Sequence, residues 1–324
     1  MTTFSTRPIP STIDRHAIII TVVAMSAAII GTVGEEIPLM GIIIGLALTV
    51  VVVGLPHGGL DHRVGRAVCK PRFGSWWPLP FLSGYLLVGG IVIAGWAAVP
   101  LLTAVLFFAL SAFHFSDTES GPKWRAILFG GMSIWLPLLA RPNDAALLLG
   151  WIAPADIDAS AALSAARPAL SVIAGVACVL WAFEVSTALK CRDSAMLLDS
   201  LRIAVFAGMF VATPVLVGFA ISFCGWHSLR ELGRLARDSD PLRPDIGLGR
   251  VLVAAAPLSI LSALMAAFGA WFVFEDRPIG PVVVQTIFLG LSAVAVPHIL
   301  LHALASRLGR NPLCADTREV ANAV

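Results

Sequence analysis

The sequence predicts an all-α fold, a polytopic transmembrane helical bundle of about eight to ten membrane helices. Mean hydropathy is +0.88, and 58% of the 324 residues are hydrophobic against 13% charged, far to the apolar side of a water-soluble domain. Asp, Glu, Lys and Arg are absent from 17–34, 37–60, 73–116, 203–229, 251–274 and 278–306. A helix of about 17–25 residues crosses a hydrocarbon core, so each stretch is long enough to span.

Taken in order, 17–34 follows Arg7 and Arg15 much as the core of a secretory signal would. It runs into Glu35 and Glu36 rather than a small-residue cleavage pattern, and another apolar run comes at once, so it reads as a first membrane helix. The stretch 37–60 ends on Pro56, His57, Gly58 and Gly59. The stretch 73–116 has room for two crossings, with Pro100 at the turn. Shorter runs lie at 126–140, between Arg125 and Arg141, and at 168–183, continuing past Glu184 to Leu189; 145–155 is a short extra. With no long linker or low-complexity run, residues 1–324 read as one membrane domain with tails at 1–15 and 308–324.

Arg7 and Arg15 before the first helix, and Arg63, Arg66, Lys70 and Arg72 after the second, put both segments on the cytoplasmic side of a bacterial inner membrane. His57 and His114 then lie at one membrane face. For Arg230, Arg234, Arg237, Arg243 and Arg250 also to be cytoplasmic, the chain must cross an even number of times between Asp117 and Arg230, and only three crossings are evident. Either 145–163 crosses as well, or 203–227 breaks at Pro214 into a re-entrant hairpin. The five cysteines form no C-x-x-C pair and suggest neither a disulfide framework nor a thiolate metal site. A net charge of +2 without a basic run gives no case for nucleic acid.

Six of the seven histidines, His57, His62, His114, His227, His298 and His302, lie in or beside apolar segments, where polar side chains are costly and mark functional interiors. His298 and His302 stand four apart, on one face of one helix, as a two-ligand metal clamp does. The topology brings His57 and His114 to the same layer, so four imidazoles converge. Imidazole suits zinc, copper and iron; an all-histidine site in an apolar setting leaves open positions for oxygen on Fe(II). Asp61, Asp117 and Glu231 follow His57, His114 and His227 by three or four residues and can hold a ligand ring in one tautomer. His62 is out of phase with His57, and His227 reads as a neighbour of the site rather than a ligand. Phe113, Phe115, Phe223 and Trp226 flank these histidines and suit a flat conjugated substrate.

The segments "GLPHGGLDH", "FHFSD", "FCGWHS" and "VPHILLH", spread over residues 50 to 306, resemble the Brp/Blh family of bacteriorhodopsin-related membrane β-carotene 15,15′-dioxygenases. The resemblance implies a non-haem iron held by four histidines, matching His57, His114, His298 and His302 here, and cleavage of the central double bond of β-carotene by O2 to two molecules of retinal. A rhodopsin would be a consumer of that retinal. The stretch between His114 and His227 matches the family pattern weakly. Two other classes compete: a membrane diiron hydroxylase or desaturase, which needs H-x-x-H-H boxes this chain lacks, and a bis-histidine haem electron carrier, which leaves the i, i+4 pair unexplained. A metal transporter would carry carboxylates inside its spans, and apart from Glu184 there are almost none.

Overall fold

The computed structural model describes residues 11–33, 37–116, 123–153, 157–239, 244–273 and 277–309, and these form helices joined by short connections, with no strand among the described residues. Six segments are long and apolar enough to cross a membrane: Leu39–Trp76, Pro78–Ala98, Ala159–Cys191, Ser194–Ala212, Gly247–Trp271 and Ile279–Arg307. Two shorter apolar helices cover His16–Thr32 and Pro100–Phe115. The chain is an all-α, multi-pass membrane protein. Its outward face carries Leu87, Val179, Phe183 and Trp271, each about two-thirds exposed or more, as a surface solvated by lipid requires.

Helix α1 (Ser11–Val33) packs along α11 (Ser194–Ala212), burying Ile20 and Ala24. The second apolar run is not one regular helix. α2 (Leu39–Thr49) widens into a π-helical segment at Val50–Gly54, continues as α3 (Leu55–Gly58) and, after Gly59 and Leu60, as α4 (Asp61–Phe73). Gly74, at φ +56°, makes the turn that a side chain would strain. The 73–116 run divides as its prolines dictate, into α5 (Pro78–Ala98) and α6 (Pro100–Phe115), each with proline in its first turn where no N–H is missed.

The middle of the chain differs from expectation in its boundaries. Residues 126–140 are two short helices, α7 (Lys123–Gly130) and α8 (Met132–Ala140), and 145–155 falls in a third, α9 (Pro142–Ile152). α10 (Ala159–Cys191) begins well before 168, because Asp158 accepts a hydrogen bond from the Ala161 N–H and caps a longer helix. α11 starts before 203 and carries Asp199 and Arg202 inside it. Those charges are tolerated because Arg125 spans Glu184 of α10, at 2.6 Å, and Asp199, at 2.8 Å, while Arg202 also bonds Asp199 at 2.8 Å.

The chain breaks at Thr213–Pro214, as one of the two alternatives required, and folds back there along α11: Gly218 faces Phe210, and the Trp226 ring lies 5.7 Å from Phe206. α12 (Val215–Phe219), a π-helical segment at Ala220–Ser228 and α13 (Leu229–Ser239) form a continuous new run. α14 (Pro244–Val273) packs on α3 and α13, and α15 (Ile279–Arg307) runs through the middle of the bundle against α5, α9, α4 and α2. His16 bonds the Gly225 carbonyl, and the guanidinium groups of Arg202 and Arg230 each lie over the Trp226 ring, so these three basic residues gather at one end of the bundle.

Candidate metal centre and apolar pocket

His57 sits at the point where two backbone irregularities meet. Pro56 lacks an N–H, and the π-helical segment Val50–Gly54 shifts the hydrogen-bond ladder by one residue just before it; three residues before His57, the Gly54 carbonyl accepts from the ring's Nδ1–H. That bond fixes the tautomer and leaves Nε2 with its lone pair. Gly59, one turn on, allows α14 to approach: a side chain there would place Cβ 2.7 Å from the Ala255 carbonyl oxygen. His114 lies at the end of α6, and His298 follows Pro297 on α15.

One nitrogen from each of the His57, His114 and His298 rings lies within 4.8 Å of the others, a spacing that can hold a metal ion. His298 Nδ1–H donates to Asp61 Oδ1 at 2.7 Å, which again leaves Nε2 as the lone-pair nitrogen. Asp61 is itself held, its Oδ2 accepting from the Tyr85 hydroxyl at 2.9 Å. A histidine whose second N–H is engaged by a carboxylate or carbonyl is the usual arrangement of a metal ligand. The donor set therefore fits a divalent transition metal that accepts imidazole.

His227, read from sequence as a neighbour of the site, belongs to the same cluster. Its π-helical segment, Ala220–Ser228, buries the ring and puts Nε2 3.2 Å from His114 Nε2. With metal–nitrogen bonds of about 2.1 Å, adjacent ligand nitrogens stand roughly 3–3.4 Å apart, so this separation suits two rings on one ion as well as an N–H···N bond. His227 Nδ1 is buried with no hydrogen-bond partner among the described residues. His302, like His227, is outside the three-histidine group, although its ring lies 4.4 Å from that of His298. Its side chain is 47% exposed and its Nε2 faces Asp61 Oδ1 at 3.4 Å, forming with Asp61 and His298 a second group behind the first.

The other expected site residues divide in two. Phe115 lies 4.9 Å from the His227 ring, and Phe223 meets His57 edge-on at 5.8 Å, so both border the cluster. Phe113 points outward, with Lys123 over its ring. Trp226 is buried between Phe206 and the basic residues at the end of the bundle, on the far side of its segment. His62 bonds the Gly59 carbonyl, Glu231 pairs with Arg234, and Asp117 lies outside the described residues. Tyr85, the only tyrosine of the chain, was not singled out by any motif; a lone hydroxyl inside an apolar helix was its only signal.

His57, His114 and His298 also form part of the wall of a pocket of 1090 Å³, part of it open to the outside. The remaining wall comes from α6, α8, α9, α12 and α15 and is almost wholly aliphatic and aromatic, with Ser111 and Ser133 among its few polar side chains. A cavity of this kind, lying beside convergent imidazoles in a lipid-solvated bundle, suits an apolar ligand.

The family described as beta-carotene 15,15'-dioxygenase matches residues 48–305, most of the chain and all four histidines of the cluster. The chain belongs to this family. Among curated relatives, beta-carotene 15,15'-dioxygenase of uncultured marine bacterium 66A03 is 26% identical over 266 residues, covering 78% of this chain and 90% of that protein. Probable beta-carotene 15,15'-dioxygenase Blh of Halobacterium salinarum is 24% identical over 283 residues, covering 78% of this chain and 81% of that one. No solved structure matches the chain. The family membership agrees with the resemblance carried by the histidine segments, and the weakly matching stretch, 115–226, supplies α8, α9 and α12 of the pocket wall.

Proposed function

We propose that this member of the dioxygenase family cleaves the central double bond of β-carotene, or of a closely related carotenoid, with O2 to give retinal, using Fe(II) held by His57, His114, His298 and His227. One observation carries the reading: convergent imidazoles, two of them (His57 and His298) with their tautomers fixed, form part of the wall of an apolar pocket. His302 becomes a support for Asp61 rather than the fourth ligand. Iron in this donor set supplies open positions at which O2 is activated.

The chain's own residues do the rest. A polyene dissolved in the bilayer enters between helices and is held by aliphatic and aromatic contacts, with Phe115 and Phe223 against its conjugated face. The pocket excludes water and aligns one double bond with the imidazole layer, so position selects the bond. O2 is itself apolar and partitions into the same space. The balance needs no further reductant: the carbon–carbon double bond breaks, two carbon–oxygen double bonds form, and each aldehyde takes one atom of O2. The setting proposed is a bacterial cytoplasmic membrane, with the imidazole layer toward the cytoplasm and the retinal available to a rhodopsin.

The test is expression in β-carotene-accumulating bacteria followed by pigment extraction. Aerobic cells lose colour and gain retinal, and anaerobic cells stay orange. Unchanged pigment in aerobic cells, with the protein present in the membrane and iron bound, refutes the reading.

A further inference from the structure

The His57, His114 and His298 imidazoles line one end of the pocket, and the buried side chains of Phe288 and Ile152 line the other. α15 lines the wall from Phe288 to His298, ten residues of one helix, or about 15 Å at 1.5 Å per residue. Aromatic rings lie along the same stretch. Phe288 lies 5.2 Å from Phe219, Phe219 stacks on Phe223 at 5.2 Å, and Phe223 meets His57 at 5.8 Å. The helix rise describes a wall comparable in length with one half of a C40 carotenoid, from its central bond to its end ring, and the rings in mutual contact pave the way along it.

The Phe288 end is built to resist being pushed. Phe288 and Ile152 are buried there beside Val284, which is fully covered. One turn beyond Phe288, the buried Gln285 donates from Nε2 to the Ile152 carbonyl at 3.1 Å, and Arg277 donates to Gln285 Oε1 at 2.8 Å. This clasp ties the C-terminal end of α9 to α15. It also satisfies a buried amide that would be costly if left without partners.

We propose that Phe288 and Ile152, backed by the Arg277–Gln285 clasp, form the stop that fixes which double bond of the substrate reaches the imidazole cluster. The inference rests on the proposed function and adds its specificity determinant. A symmetric polyene whose end ring meets the stop has its central bond at the metal. Deepening the arm lets the chain slide and brings an off-centre bond there, so the products become an unequal pair of aldehydes, still with one oxygen atom of O2 in each.

Two measurements test this. Phe288→Ala and Ile152→Ala proteins are given β-carotene and the products separated, with Leu86→Ala, on the lipid face of α5 at 62% exposure, as the control. The ratio of retinal to unequal aldehydes falls by about 10–100-fold in the two pocket variants, as sub-ångström to ångström displacements of a reacting bond imply, and does not change in the control. Retinal as the sole product of active pocket variants overturns the stop. The second measurement uses the wild-type protein alone and so stands even if a variant fails to fold. An apocarotenal, a carotenoid shortened on one arm so that it ends in an aldehyde and with the other ring-bearing arm intact, yields retinal plus a short dialdehyde if the stop sets the distance. Cleavage at the midpoint of the shortened polyene overturns the proposal. No cleavage of β-carotene or the shortened substrate by the wild-type protein instead refutes the proposed function, and the stop with it.

Discussion

Asp61 receives three bonds on one buried carboxylate, from Tyr85, His298 and His302, and its effect passes through His298 to the metal site. Tyr85→Phe and Asp61→Asn are therefore expected to weaken iron affinity by about 10–100-fold, measured by competition with a chelator, with Tyr85→Phe the milder. The ligands themselves behave differently. Alanine at His57, His114, His298 or His227 removes both iron and turnover, whereas His302→Ala retains iron and loses at most about 100-fold in activity. Full iron with wild-type turnover in His227→Ala would return His302 to the ligand set. From the sequence, the i, i+4 spacing of His298 and His302 was legible and their shared helix is real, but spacing cannot say which of two rings on one face turns inward. Asp61 accepts from His302 at 3.4 Å, and the proposed fourth ligand, His227, sits in a π-helical turn that has no sequence signature.

Among elements, the close approach of α3 and α14 depends on Gly59. Gly59→Val would force Cβ, 2.7 Å from the Ala255 carbonyl oxygen, into α14 and is expected to cost about 1–3 kcal/mol, read as a lower thermal midpoint in detergent and looser iron binding. The Arg125, Glu184 and Asp199 network ties α7, α10 and α11 together. Glu184→Ala is expected to cost on the order of 1–3 kcal/mol rather than more, since Asp199 still holds Arg125. The runs without charge gave α1, α2, α5, α6, α14 and α15 nearly as they are. They misplaced the starts of α10 and α11 because windows that reject charge stop at Arg167 and at Arg202, and a window cannot know that Arg202 is paired with Asp199. The break at Pro214 and the turn back along α11 were visible, while the length of the returning run, through α12 and α13 to Ser239, was not, because it depends on what the run packs against.

Taken whole, the molecule is a lipid-solvated bundle around one apolar arm, and its surface and its pocket ask for the same solvent. A carotenoid bearing ring hydroxyls would lose their water at the Phe288 end, where Gln285 already has both its oxygen and its nitrogen engaged. The dihydroxy substrate is expected to show a kcat/KM lower by about 10–100-fold than β-carotene, and equal rates would mean that the ring never reaches that end. The central claim is that iron held by the imidazole cluster carries out the cleavage. It is tested most directly by stripping the purified protein with a chelator, restoring it with Fe(II) or Zn(II), and measuring metal per chain beside retinal formed from β-carotene in air. The account predicts that the stripped protein is inactive, that Fe(II) restores about one ion per chain together with retinal formation, and that Zn(II) occupies the site without activity. Retinal formation by the metal-free protein, or equal restoration by zinc, would contradict it.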